Sequence, residues 1–357
     1  MKTKQLLYGA LRWVAASPVP RVFRFRYGGV GTILALHNVT LGREPALSFV
    51  QDQNLSATFL ETLIERYHAR GYDIVSLDEV RERVRLGRHG RRFVAFTFDD
   101  GYRSNFDIAF PIFAKYGVPF AVYVATDLID GKCLPWPQAL QELLFARDQL
   151  EVDFGRTTVS FALTSHAART AAMDAIAGHV DGLPVFARED WLRELFVAQG
   201  IDLAQLTRKH MLSWDMLREL ARSDIATVGA HSVAHVPLLR LPHDRMRHEM
   251  TASRQRIEDE TGVAVQHFSY PFGGFAQAGT REFACARDTG FATAVTTRSA
   301  NVFSEHRDAL WALPRQVVSG SVEDPAIVDV LDSGLASAML YGFRRVVTSH
   351  GGLKKYL

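Results

Sequence analysis

The run FVAFTF at residues 93–98 is apolar at five of its six positions, with no alternation between a polar and an apolar side. A strand with one wet face alternates. A continuous run therefore reads as a strand covered on both faces, as in a parallel sheet wrapped by helices. Comparable runs recur along the chain: TILALH (32–37), DIVSL (73–77), PFAVYVA (119–125), IATVGAH (225–231), VQHFSYP (265–271), FATAVT (291–296) and LPRQVV (313–318). Helix-period segments lie between them. In one, Ser56 stands as an N-cap, Phe59, Leu63 and Tyr67 share a face, and Gly71 stops the helix. Others end at Gly87 and Gly117. Strand and helix in alternation predict an α/β fold, a closed or nearly closed (β/α) barrel of seven to eight strands. A flat doubly wound sheet is the second choice, because no glycine-rich phosphate loop follows an early strand.

The rhythm breaks after Thr126. Residues 128–215 read as a largely helical insertion around one hairpin, LEVDFGRTTVSFAL, placed on the barrel rim. The predicted organisation is an N-terminal segment (1–28), a barrel over 29–320 interrupted by that insertion, and a helical, basic C-terminal tail (321–357). A net charge of +2 with no arginine/lysine run among aromatics argues against nucleic acid as a partner. Two distant cysteines, Cys133 and Cys285, make neither a disulfide framework nor a zinc pair. The N-terminus starts basic and turns apolar, but Arg12 interrupts it and AAS at 15–17 is a poor cleavage site. The reading is a packed helix or an amphipathic segment that, with the basic tail FRRVVTSHGGLKKYL, makes peripheral membrane contact. A cytoplasmic location, at the inner face of the membrane, follows as an expectation.

In barrels of this kind the C-terminal ends of the strands face the active site. His37 ends the first run, Asp99-Asp100-Gly101 ends FVAFTF, His231 ends IATVGAH with His235 four residues on, and Arg315 lies in the last run. HSVAH (231–235) puts two histidines on one face of a helical turn, the spacing a metal needs from two imidazoles. With thirteen histidines in the chain, a surface helix pair is the plain alternative. Two imidazoles and one carboxylate make the protein half of an open metal site. A cation offsets the repulsion between neighbouring aspartates, one ligating and the other free as a base. Asp-Gly is also a favoured turn dipeptide, but a buried strand that ends in two charges needs a reason.

TFDDG (97–101), HSVAH (231–235) and YPFG (270–273) together resemble the signature motifs of the NodB-type polysaccharide deacetylases, the fourth carbohydrate esterase family. TILALHNV and DIVSLDEV are similar to the branch with poly-N-acetylglucosamine and other exopolysaccharide deacetylases. The resemblance spans residues 30–320 without the insertion. It implies a distorted barrel that hydrolyses the N-acetyl group of an N-acetylhexosamine unit in a polysaccharide, oligosaccharide or lipid-linked sugar, releasing acetate. It further implies Asp99 as general base, Asp100, His231 and His235 as ligands of a divalent metal, usually zinc, and the Phe272 N–H as an oxyanion donor. Tyr270, Pro271 and Trp311 are the expected substrate contacts. Trp136, Tyr102 and Phe275 are further rings able to stack on a sugar, and Asn105 is expected to fix the loop after the aspartates.

Two departures stand out. The family's third motif commonly starts with an arginine that orients the base, and Ser269 stands there instead; Arg315 is the expected substitute. For the general acid, His37 is preferred to His350. The rival functions are a non-catalytic saccharide-binding or assembly factor on the same fold, and a non-haem iron oxygenase, whose ligands are also two histidines and a carboxylate.

Overall fold

The structure, a computed structural model, describes residues 14, 17–42, 46–87, 90–342, 345–349 and 352–356. Eight parallel strands form the main sheet: β1 (Gly31–Leu36), β2 (Asp73–Ile74), β3 (Phe93–Phe98), β4 (Phe120–Val124), β5 (Ala226–Ala230), β6 (His267–Ser269), β7 (Thr293–Val295) and β8 (Gln316–Val317). Seven follow the order β7-β6-β5-β4-β3-β1-β8, while β2 pairs with the start of β3 and β4 with its end. Leu313 bridges Val295 in β7, and Gln316 pairs with Leu34 in β1. The segment 313–317 thus joins the two edges of the sheet. The result is a distorted (β/α) barrel, not a flat sheet.

All six residues of β3 are buried, as the unbroken apolar run requires. Val94, Phe96 and Phe98 pack outward, where Phe96 and Phe98 meet Phe113 edge-on and Phe98 meets Phe120. Phe93 and Ala95 point inward to Val75, Tyr123 and Leu313. Each buried ring contributes about 2–3 kcal/mol of transfer free energy. Period-two geometry then puts Thr97 and Asp99 on the inward side as well, toward the barrel axis.

The helix Ala57–Ala69 starts at Ser56, whose hydroxyl accepts the Phe59 N–H, and Gly87 and Gly117 close their helices in the left-handed conformation. The strand expected over 73–77 shortens to two residues, because Ser76 caps the next helix, Leu77–Leu86. The insertion holds the hairpin Gln149–Asp153/Thr158–Ala162 and the helices Trp136–Ala146, His166–Gly182, Arg188–Ala198 and Leu203–His210. It packs its own cluster of Leu140, Leu144, Met173, Ile176 and Phe196, separate from the barrel core.

The tail is not wholly helical. After Ala326–Ser333 and Leu335–Leu340 it ends in an antiparallel pair, Arg345–Ser349 with Gly352–Tyr356, where the β-branched run Val346-Val347-Thr348 favours strand. Most of the N-terminal segment 1–28 read as amphipathic, and His350, lie outside the described residues. Among those described, both cysteines are free, and no helix is long and apolar enough to cross a membrane.

Candidate active site

Four non-glycine residues among those described have positive φ: Asp100 (73°), Ser232 (67°), His235 (48°) and Phe272 (62°). All four lie in the loops at the C-terminal ends of β3, β5 and β6. Left-handed backbone costs a non-glycine residue on the order of 1–3 kcal/mol, so its concentration here marks a site whose geometry is held by its surroundings.

At the end of β3 the left-handed turn at Asp100 is continued by Gly101 (φ 79°). It swings Asp100 off the strand's alternation, so neighbouring carboxylates face one end of the barrel. Asp100 Oδ1 lies 3.3 Å from His231 Nε2 and 3.2 Å from His235 Nε2. The ligating atoms of the three residues all fall within 4.8 Å of one another. The Nδ1 of His231 sits 2.7 Å from the Ser269 carbonyl oxygen and must donate to it, which leaves Nε2, on the Asp100 side, as the nitrogen able to ligate a metal. Lone pairs gathered in this way fit a divalent cation, and two nitrogens with one oxygen suit zinc.

HSVAH was expected to be a helical turn; it is an irregular loop instead. Glu249, on the helix His243–Thr261, accepts the N–H groups of Val233 and Ala234, both at 2.9 Å, and Ser232 Oγ accepts the His235 N–H at 3.0 Å. These partners replace the helical hydrogen bonds and bring the two rings to 5.0 Å between centroids.

Asp99 has a different environment. Arg315 binds it bidentately, Nη1 to Oδ1 at 2.8 Å and Nη2 to Oδ2 at 2.6 Å, with both side chains fully buried. The remaining guanidinium donors reach Thr97 Oγ1 (3.0 Å), Ser269 Oγ (3.0 Å) and the Thr296 carbonyl (3.1 Å). All five N–H groups have acceptors. Burial alone raises the Asp99 pKa, but the charge of Arg315, then His231 and the paired hydrogen bonds, outweighs it and holds the carboxyl below its usual range. Asp100 lies well below its usual range, because His235 and the hydrogen bonds from both imidazoles overcome its burial. The guanidinium thus reaches Asp99 from the segment before β8, while Ser269, in the third motif's place, accepts one of its hydrogen bonds.

His37 is half-buried at the end of β1, close enough for its charge to act on both aspartates. Asn105 Nδ2 donates to the His37 carbonyl at 2.8 Å and ties that strand end to the loop after Asp100. The Phe272 N–H donates to no acceptor among the described residues, and its ring lies tilted against His235, 4.8 Å between centroids. Thr297 pins the loop by donating to the Phe272 carbonyl from Oγ1 and to the Gly273 carbonyl from its N–H.

Three substrate-contact expectations need correction. Tyr270 is fully buried against Phe268 and Phe283 and donates its hydroxyl to the Trp311 carbonyl at 2.8 Å. The Trp311 indole donates to the Phe291 carbonyl, below the start of β7 and away from the metal cluster. Both support the barrel wall, and Pro271 is buried beside them. Tyr102 is buried too and bonded to Gln138, while Phe275 packs against Arg298 and Tyr341. Trp136 does line a cleft beside the metal cluster, stacked on Phe49. Glu249 and Thr97 were not anticipated as supports. Glu249 had a signal: it interrupts the buried stripe Met246, Met250, Ser253 and Ile257 of its helix.

Among curated proteins, none matches this chain. Solved structures share its fold at low identity: the deacetylase PplD of Streptococcus pyogenes, solved with acetate (15% identical, TM-score 0.54, covering 85% of this chain and 96% of that one). IcaB from Ammonifex degensii is 17% identical, with TM-score 0.54 and coverage of 86% and 98%. A de-N-acetylase from Aggregatibacter actinomycetemcomitans is 14% identical, with TM-score 0.53 and coverage of 84% and 98%. The model of the polysaccharide deacetylase family matches residues 87–293, more than half of the chain. With that match over β3 to β7, the chain belongs to the polysaccharide deacetylase family, and the reaction class that goes with it is carbohydrate N-deacetylation.

Proposed function

We propose that the protein removes the N-acetyl group from an N-acetylhexosamine unit by hydrolysis, releasing acetate, with zinc held by Asp100, His231 and His235. One observation carries this reading: two adjacent aspartates have separate partners, Asp100 two imidazole nitrogens and Asp99 a buried guanidinium. A divalent cation supplies Lewis acidity toward the amide carbonyl and toward water. Asp99, kept ionised by Arg315, takes the proton from the attacking water. The Phe272 N–H donates to the carbonyl oxygen as it gains negative charge; one such donor is worth about 3 kcal/mol. His37 gives a proton to the leaving nitrogen as the C–N bond breaks. Arg315 touches no substrate and acts as a positioning residue, in place of the arginine that Ser269 displaces.

The non-catalytic reading drew its force from that missing arginine, and the bidentate Arg315–Asp99 pair supports the catalytic one instead. The oxygenase rival rested on the ligand set alone, and the family match favours hydrolysis over it. The test is acetate release from a panel of N-acetylated saccharides by chelator-stripped protein, before and after zinc is added. Acetate with zinc only is the expected result. Saccharide binding with no acetate from any member would favour the non-catalytic factor.

A further inference from the structure

A cleft of about 520 Å³ opens beside the metal cluster, with His235 and Phe272 in its wall, and runs beneath the insertion. Its far wall is apolar, built from Trp136, Val180, Val185, Phe186 and Leu192, with Phe49 at the side. Three of the lining rings are open to solvent: Phe186 is 57% exposed, Phe272 48% and Phe49 40%. Such a cluster of uncovered rings signals a ligand surface. Elsewhere the lining carries polar side chains, Gln277 and the charged Asp127, Lys132, Asp181, Arg188, Glu189 and Arg240. Along the apolar wall itself a further sugar unit would meet no hydrogen-bonding partner from Val180, Val185, Phe186 or Leu192, and each hydroxyl buried there would cost about 1–3 kcal/mol. A hydrocarbon chain loses nothing in the same place.

The charges of the cleft narrow the choice. Lys132 is engaged with Asp127 and Asp130, and Glu189 with Arg193. Arg188 donates to the carbonyls of Asp181 and Leu183, and neither Arg188 nor Arg240 makes an ion pair among the described residues. The two are near enough that, after burial, the charge of Arg240 helps hold the Arg188 pKa down, against the opposing charge of Asp181. A guanidinium pair of this kind is suited to the oxygens of a phosphate.

We propose that the substrate is an N-acetylhexosamine joined through a phosphate to a hydrocarbon chain, with the phosphate at Arg188 and Arg240 and the chain along Phe186 and the apolar wall. This rests on the deacetylase reading above and specifies its substrate class. The occupant follows from continuity with the candidate metal cluster, from the apolar wall and from two arginines that make no ion pair among the described residues.

The test uses N-acetylhexosaminyl alkyl phosphates from methyl to decyl, the matching alkyl glycosides without phosphate, and N-acetylhexosamine oligomers. Binding is read by calorimetry on the Asp99→Asn variant, and acetate release on the wild-type protein. Affinity should rise with chain length by up to about fourfold per buried methylene until the cleft is full. The phosphate should add about tenfold, an increment that Arg188→Ala/Arg240→Ala removes. Phe186→Ser should flatten the chain-length dependence. A flat series, oligomers that bind tighter than the decyl phosphate, or equal affinity with and without phosphate would overturn the inference. Acetate release from plain oligomers with a flat series would leave the deacetylase reading standing. Tight binding of the decyl phosphate with no acetate from any compound would instead overturn that reading alone.

Discussion

Arg315→Met is the most informative single change outside the proposed metal ligands. Arg315 and Asp99 are both buried, so the pair loses little strength to solvent. Removing one partner of such a pair leaves an uncompensated charge, at a cost of about 3–5 kcal/mol. At about 2.1 cal/mol/K per residue, unfolding 357 residues carries about 0.75 kcal/mol/K of entropy, so Tm should fall by about 4–7 °C. Activity should shift in a particular direction. With Arg315 gone, the burial that raises the Asp99 pKa is opposed only by His231 and His37, so the carboxyl titrates higher. The base works only when ionised. The acid limb of kcat/KM, measured as acetate release against pH, should therefore move to higher pH than in the wild type. Asp99→Asn/Arg315→Met should recover most of the lost stability, because no buried charge is left alone. An acid limb that stays in place, with unchanged kcat, would refute the positioning role of Arg315.

Three other outcomes are expected. Asp100→Asn keeps a side chain that tolerates the left-handed backbone but removes the negative charge; zinc affinity by calorimetry should fall at least about 100-fold while the stripped protein keeps its Tm. Unchanged affinity would remove Asp100 from the ligand set. Glu249→Ala leaves the Val233 and Ala234 N–H groups without their acceptor, and zinc affinity should drop about 10–100-fold though no ligand has changed. An unaffected site would show that the loop holds its shape without it. Burial lowers the His306 pKa to about 4, so the unfolded chain takes up a proton at higher pH than the folded protein. Stability should be full above about pH 6.5 and fall by about 3 kcal/mol as the pH drops toward 4. Urea midpoints across that range should lose much of their slope in His306→Gln, and an identical slope would assign the acid sensitivity to other groups.

The barrel was legible because FVAFTF and its companions carry their burial in their composition, and because Ser56, Gly87 and Gly117 mark helix ends through local chemistry. That Asp100, His231 and His235 would gather into a candidate metal site could be read from residue type and strand position. The shape of its loops could not. HSVAH has helical spacing, but its conformation is decided by Glu249, sixteen residues past Val233, whose carboxylate takes the amides a helix would have paired internally. Spacing alone also cannot tell a ring at a strand end that faces the cleft from one that braces the wall. Tyr270 and Trp311 brace it, because their polar atoms find carbonyl partners across the barrel. The substitution of Arg315 for the third-motif arginine was suggested by position. Ser269, in the place of that arginine, accepts from the same Arg315 nitrogen that binds Asp99.

The division of labour between Asp99 and Asp100 is tested most directly by zinc content and acetate release measured together on Asp99→Asn. The account predicts about one zinc bound per chain, as for the wild type, with acetate release reduced by several orders of magnitude. Full acetate release from a zinc-loaded Asp99→Asn protein would contradict it.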